Sequence, residues 1–200
     1  MKTSEAIIHV VDDDPSVRHA CRYMLETVGM VCRDWPDGRV FLERADLYAA
    51  GVVLLDMRMP HWDGSAVQAH LGQLGSPLSI IFLTGHADVP MVTEAFRNGA
   101  ADFLEKPVLL DALLPAIGRA LARSEQAYQR RHLLGLYQTL SPRERAVLQR
   151  VRAGMTNRDI AMDQSVSVRY VEVQRAQAME KLGAAHMADL IRMLTEIGDL

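Results

Sequence analysis

Five short apolar runs, each cut off by a polar or charged residue and separated from the next by a stretch of helical rhythm, constrain the first 122 residues more than any other feature. The runs are Ile7 to Val11, Met30 to Asp34, Val52 to Leu55, Leu78 to Leu83, and 101–104. After the first, Val17, Ala20, Cys21, Met24, Leu25 and Val28 fall at i, i+3, i+4, i+7, i+8 and i+11, and Gly29 closes the pattern. That spacing predicts an amphipathic helix. Similar stretches predict helices at 39–45, 65–73, 88–98 and 109–122. A run such as Val52-Val53-Leu54-Leu55 has no polar alternation, as expected of a strand covered on both faces. Five βα units in series predict an α/β architecture, a five-stranded parallel, doubly wound sheet. In such sheets the site collects at the carboxyl ends of the strands.

The residues at those ends carry chemistry. Asp12, Asp13 and Asp14 follow the first run, Asp56 the third, Thr84 the fourth, and Lys106 the fifth, just before Pro107. Carboxylates crowded into one pocket repel, and one of them tends to pick up a proton. A divalent cation removes that problem, and all-oxygen ligands with room for water favour Mg2+. Mg2+ and Lys106 together would neutralise the equatorial oxygens of a phosphoryl group passing to Asp56, and Thr84 would donate a hydrogen bond to it. Acids after strands are also common helix caps, and Asp14 before Pro15 is read as one. What distinguishes this chain is that the acids, the hydroxyl and the ammonium stand at the ends of successive strands. His9 alternates with apolar neighbours and reads as structural, while His61 and His86 read as surface groups. Cys21 and Cys32 are too few for a disulfide framework and read as core residues in a reducing compartment.

Beyond residue 122 the rhythm changes. Residues 123–138 are polar with a helical tendency and read as a linker prolonging the preceding helix. Residues 139–200 contain no strand candidate and divide into helices at 142–153, 157–163, 167–182 and 186–197. Ser141, Thr156 and Ser167 are the expected caps. Pro142 falls in the first turn, Glu144 is placed for a capping box with Ser141, and Gly154 and Gly183 are the expected stops. Charge is uneven along the chain. Residues 1–122 carry 10 Lys and Arg against 16 Asp and Glu, 123–138 carry 3 against 1, and 139–200 carry 9 against 8. An acidic first part and a mildly basic last part fit one domain holding a cation and another approaching phosphate. On 167–182, Val168, Val171, Ala178, Met179 and Leu182 form one apolar face, and Arg169, Glu172, Val173, Ala176, Gln177 and Glu180 the opposite one. No stretch has the length and apolarity to cross a bilayer, and the opening residues read as neither a signal peptide nor a span.

The segments VVDDD, LLDMRMPHWDG, LTGHADVP and DFLEKP, in that order, resemble the receiver domain of two-component response regulators across roughly residues 5–122. The details around Arg58 and His86 are similar to the FixJ subgroup. This resemblance implies a flavodoxin-like fold with Asp56 as phosphoacceptor. It implies Asp12, Asp13, Asp56 and the Arg58 backbone carbonyl as Mg2+ ligands, Thr84 and Phe103 as a switch pair, and Lys106 as the phosphate-contacting lysine. The segment from Ser141 to Gly183 resembles the LuxR/FixJ-type helix-turn-helix, which implies an all-α four-helix domain with 167–182 as the recognition helix. Such a helix enters the major groove. There Glu172 would accept from a cytosine amino group and Val173 would touch a thymine methyl, with Ala176 on the same face. Thr156, Asn157, Arg158, Arg169 and Tyr170 would meet phosphates. Arg175 is expected to pack its stem and point its head outward. Tyr170 and Gln174 stand where the family often has Thr and His.

The resemblance implies a cytoplasmic transcriptional regulator with a sensor histidine kinase and promoter DNA as partners, RNA polymerase as a further candidate, and no membrane partner. It implies a homodimer on phosphorylation through the 84–103 surface, with Val92, Ala95 and Phe96 as candidate contacts. No catalytic residue is assigned and the chain is not read as an enzyme. An aspartyl phosphatase of the haloacid-dehalogenase kind needs an acid two residues after its nucleophile, where this chain has Arg58. A nucleotide-binding enzyme needs a glycine-rich loop after the first strand. The remaining alternative is a signalling module that acts through protein contacts alone, which specific DNA retardation distinguishes.

Overall fold

The computed structural model describes residues 6–85 and 89–198. His86, Asp88 and the expected first residue of the helix at 88–98 lie outside them, as do the last two residues of the expected 139–200 domain. The chain divides into two compact units, Met1–Tyr128 and Gln129–Leu200.

In the first unit β1 (Ile7–Val11), β2 (Cys32–Trp35), β3 (Gly51–Asp56), β4 (Ser79–Thr84) and β5 (Asp102–Glu105) alternate with α1 (Pro15–Thr27), α2 (Gly38–Arg44), α3 (Gly64–Gln73), α4 (Val89–Arg97) and the start of α5 (Leu110–Gln138). The strands form one parallel sheet in the order β2-β1-β3-β4-β5. Alternation along each strand splits the core in two. Val53, Leu55, Ile80 and Phe82 pack with Phe41, Val67 and Leu71 from α2 and α3. Val52, Leu54, Ile81 and Leu83 pack with Cys21, Leu25, Leu113 and Ile117 from α1 and α5. Both faces of β3 and β4 are therefore covered, which is why these strands read as unbroken apolar runs.

The second strand begins later than its apolar run. Gly29 has φ +76° and Met30 N donates to Leu25 O at 3.0 Å, so both residues finish the cap of α1 before pairing starts at Cys32. The helix expected at 109–122 continues without interruption to Gln138. Within the segment read as a linker, Ser124 is fully buried in the first unit, where its hydroxyl accepts from Gly51 N at 2.8 Å. Leu133 and Tyr137 belong to the core of the second unit. The residues between 123 and 138 therefore contribute to both cores.

The second unit adds α6 (Pro142–Arg152), α7 (Asn157–Asp163), α8 (Val168–Leu182) and α9 (Met187–Ile197). Ser141 and Glu144 form the expected capping box, Thr156 forms another with Asp159, Ser167 accepts from Tyr170 N, and Gly183 ends α8 in the left-handed region. Glu144 does more than cap. Its carboxylate is nearly inaccessible and takes Lys181 Nζ at 2.8 Å, tying the start of α6 to the end of α8. Burial alone would raise the Glu144 pKa, but hydrogen bonds from Lys181 and Ser141 outweigh it and hold the carboxyl below its usual range. Among the described residues no helix is long and apolar enough to cross a membrane.

His9 is structural, as its strand position predicts. It is 3% exposed, its Nδ1 accepts from Trp35 Nε1 at 3.1 Å, and it lies against Phe41. Burial lowers its pKa to about 4, with Arg33 adding to the effect and Asp46 opposing it. A depressed histidine pKa stabilises the fold above the unfolded value of 6.5, and that stability is lost as pH falls toward 4. Between pH 6.5 and pH 5 we expect this group to remove about 1.5 kcal/mol from the first unit. Both tryptophans, Trp35 and Trp62, lie in that unit, so their fluorescence follows its unfolding. Denaturant midpoints should fall across this pH window in the wild type and fall less in His9→Phe.

Candidate functional site

The pocket lies at the carboxyl edge of β1, β3 and β5. Alternation sets its two sides. Asp12 and Asp56 continue the parity of Val10 and Leu54 and so project on the α1 and α5 side, where Lys106 also arrives. Thr84 continues the parity of Phe82 on the other side, where Phe103 lies opposite Phe82 in register with ring centroids 5.8 Å apart. The sheet thus places the carboxylates and the ammonium together, with the hydroxyl and the aromatic ring beside them.

Lys106 Nζ lies 2.6 Å from Asp12 Oδ2 and 3.2 Å from Asp56 Oδ2. The Lys106–Pro107 peptide is cis. Asp12 is fully buried, Asp56 is 6% exposed and Asp13 is exposed at the mouth. Burial raises the Asp56 pKa first and the Asp12 charge raises it further, against the pull of Lys106 and the Arg58 N–H. Burial alone would lower the Lys106 pKa, but Asp12 and then Asp56 outweigh it and raise it. Lys106 is therefore an ammonium, and its single charge does not balance the acids around it.

These donors fit a hard cation. Oxygens of Asp12, Asp13 and Asp56 come within 4.8 Å of one another. Asp12 Oδ2 is buried and meets Lys106 only as an ion pair, without a hydrogen bond of good geometry. A carboxylate oxygen left so is suited to metal coordination. Outside it, Asp13, Arg58, Pro60, Asp63 and Met91 border an open hollow of about 490 Å³.

The loop from β3 to α3 depends on one glycine. Gly64 N donates to Met57 O at 3.1 Å, turning the chain back on itself. A Cβ at Gly64 would stand 2.6 Å from the Asp56 carbonyl oxygen and 2.8 Å from the Phe82 ring. Asp14 caps α1 and Asp63 caps α3, accepting from Ser16 N and Ala66 N. His61 is exposed, with φ 67°.

In the second unit α8 presents Arg169, Val173, Ala176, Gln177 and Glu180 outward. Glu172 and Tyr170 are half-buried, and Arg169 Nη1 lies 3.6 Å from Glu172 Oε2. Val168, expected on the apolar face, is 39% exposed. It opens the first turn of α8, at a hollow that Val151, Met187 and Ile191 also line. Arg175 was expected to point outward, but its Nη1 donates to Asn157 Oδ1 at 3.0 Å and links α8 to α7. The Thr156 hydroxyl is engaged with Asp159. Arg158 is exposed.

A receiver fold with this acidic edge, followed by a helix-turn-helix, decides the family. The response regulator receiver domain matches residues 8–118, and the luxR family of bacterial regulatory proteins matches residues 138–194. This chain belongs to the two-component response regulators. It is 49% identical to the tetrathionate response regulatory protein TtrR of Salmonella typhimurium, over 94% of this chain and 91% of the relative. It is 35% identical to FixJ of Bradyrhizobium diazoefficiens, over 99% and 98%. Among solved structures it is similar to the response regulator StyR, with TM-score 0.72 and 34% identity over 96% of this chain and 100% of that one. The regulator is a phosphorylation-controlled DNA-binding protein that couples a receiver to a LuxR-type domain.

Three contacts of this regulator leave no local signal in its sequence. Arg18 of α1 reaches the backbone of the acidic loop, Ser124 seals the start of β3, and Arg175 reaches Asn157. Each is a polar contact between distant positions that no periodicity reports. Gly64→Ala should displace the Asp56 carbonyl and destabilise the first unit by about 1–3 kcal/mol, the usual cost of overpacking. Tryptophan fluorescence in denaturant measures that loss, and a wild-type midpoint would show that the approach at Gly64 is not constraining.

Proposed function

We propose that Asp56 is the phosphoacceptor of this regulator and that phosphorylation there controls how 139–200 engages promoter DNA. The observation that carries the reading is the Lys106 ammonium set between Asp12 and Asp56, with Asp13 alongside. The Asp12, Asp13 and Asp56 carboxylates and the Arg58 backbone carbonyl would hold Mg2+. Bound there, the ion offsets charge on the carboxylates and on the phosphoryl oxygens. The Asp56 oxygen attacks phosphorus, and the bond to the histidine of a sensor kinase breaks. Lys106 meets the new phosphoryl oxygens. Thr84 then moves toward the phosphate and Phe103 turns inward, remodelling the 84–103 surface. Residues 1–122 act as the receiver, 123–138 as the connecting helix and 139–200 as the DNA-binding part. The regulator has no enzymatic role beyond receiving phosphate.

Glu172, Val173 and Ala176 form the base-reading group, and Thr156, Asn157, Arg158, Arg169 and Tyr170 the phosphate group. Phosphorylation drives homodimerisation, which brings two recognition helices to half-sites about one helical turn apart. Of the candidate contacts for that dimer, Phe96 is 45% exposed and Val92 half-buried. Ala95 is withdrawn, because it packs into the core and its carbonyl accepts from Gln68 Nε2 at 3.0 Å. RNA polymerase is a further partner. The working compartment is the cytoplasm, where promoter DNA is reached. The relative at 49% identity supports a response to tetrathionate, consistent with the stretches AAGVVLLDMRMP and FLTGHADVPM.

With acetyl phosphate and Mg2+, intact mass should rise by one phosphoryl group in the wild type and not in Asp56→Asn. Equal labelling of both would remove Asp56 from its role. Sedimentation with a phosphate mimic should show a dimer as DNA binding rises, and a persistent monomer would remove dimerisation as the switch.

On DNA, Glu172→Ala should relax preference at one base pair by about 1–3 kcal/mol. Arg169→Ala should weaken all sequences alike and flatten the salt dependence by about one ion. Loss of affinity without change of preference in Glu172→Ala contradicts a base contact. Absence of any specific retardation favours a module working through protein contacts alone.

A further inference from the structure

We infer that Arg18 is a positioning residue for the metal site, fixing the backbone of Asp12 and Asp13 so that their carboxylates face the cation. The inference rests on the Mg2+ reading of the acidic pocket. Arg18 Nη1 donates to Asp12 O at 2.7 Å and to Asp13 O at 3.1 Å. Its side chain is only 14% exposed, and its Nε lies 3.7 Å from Asp34 Oδ2 on β2. Asp34 is held in turn by Arg22 Nη1 at 2.8 Å.

The position of the two carbonyls explains why such a clamp is needed. The pairing of β1 with β2 and β3 ends at Val11, and Asp12 N makes a last contact with Trp35 O at 3.3 Å. Past that point the ladder of β1 stops, and the Arg18 bonds hold the next two carbonyls. Arg18 holds both peptide groups through one nitrogen, Nη1, while its Nε faces Asp34, so the planar guanidinium spans the loop and β2. Fixing those peptides fixes the directions in which the two Cβ atoms leave the chain. Asp14 N then donates to Asp12 Oδ1 at 3.0 Å, which settles the Asp12 carboxylate and leaves Oδ2 toward Lys106.

Arg18 also brings a positive charge close to the acidic pocket, and the two effects oppose each other. As a charge alone, Arg18 repels Mg2+, so removing it would tighten metal binding. As a clamp it preorganises the ligands, so removing it loosens metal binding. Outer-shell partners of metal ligands are typically worth about 10–100-fold in affinity. The geometry points to the clamp as the larger effect.

The test is calorimetric titration of the full chain with MgCl2, which reads binding without phosphorylation. Arg18→Met should weaken Mg2+ by about tenfold, with tryptophan fluorescence confirming that the first unit is folded. Arg18→Lys keeps the charge but cannot reach the two carbonyls and Asp34 at once through a planar group, and it should remain several-fold weaker than the wild type. Wild-type or tighter Mg2+ binding in Arg18→Met overturns the inference, as does full recovery in Arg18→Lys. Where Arg18→Met fails to fold, Arg18→Lys alone decides by the same criterion. Asp13→Ala separates the premise from the inference. If it binds Mg2+ like the wild type, the metal reading itself fails; if it loses Mg2+ while Arg18→Met does not, only the clamp fails.

Discussion

An ammonium group between two buried carboxylates is what the first unit is organised around. Lys106 lies within ion-pair distance of Asp12 and Asp56, which come from β1 and β3, while Lys106 itself follows β5. Only a parallel sheet with β1 and β3 side by side, and β5 two places from β3, brings these three together. Removing carboxylates from water costs several kcal/mol each unless charge and hydrogen bonds compensate. One lysine against Asp12 and Asp56, with Asp13 close by, leaves the pocket short of positive charge. Burial first, and the Asp12 charge after it, raise the Asp56 pKa in that pocket. A pocket left short of positive charge favours either a proton or a cation, and Asp12 Oδ2, ion-paired to Lys106 without a well-formed hydrogen bond, is open to the cation.

Much of this arrangement was legible in the sequence because strand alternation and helix spacing are local signals. The apolar runs located all five strands, and the residues ending those runs gave Asp12, Asp56 and Thr84. Caps were equally legible, since Ser141, Thr156, Ser167 and Gly183 act within a few residues of where they stand. What escaped were polar contacts across the chain. Ser124 meets Gly51 over a separation of 73 residues, and Lys181 meets Glu144 over 37. Arg175 was placed correctly at the edge of an apolar face, but its partner Asn157 lies on another helix. Val168 went wrong for a different reason: helical parity gives a residue's side, not whether a neighbour extends far enough to cover it.

Polar ties supplement the core of the second unit. Val147, Leu148, Ile160, Val171, Ala178 and Leu190 form the fully buried centre. Around it, Glu144 connects α6 to the end of α8 and Arg175 connects the first half of α8 to α7. The Asn157 carbonyl oxygen faces a guanidinium, which has only donors, so the orientation of the amide is set. A capping box that also accepts an ammonium places one carboxylate in two roles, and losing Glu144 would leave both Ser141 N and Lys181 without it.

Charge on the outward face of α8 sets the balance between affinity and discrimination. Residues 139–200 carry only one more base than acid, so the sequence-independent attraction to phosphate is small. On the proposed reading, Glu172 would add repulsion from the DNA backbone unless it met a donor. A cytosine amino group supplies one, and a base without it leaves the carboxylate desolvated and unpaired. Discrimination then arises from penalising wrong sequences as much as from rewarding the right one. The Arg169 contact to Glu172 is an exposed pair of 3.6 Å and worth little in water. On the proposed reading it would therefore exchange for a phosphate at small cost, leaving Glu172 to the base. On the proposed reading such a domain would bind weakly alone, and pairing two copies would raise affinity without loosening the penalty on wrong sites.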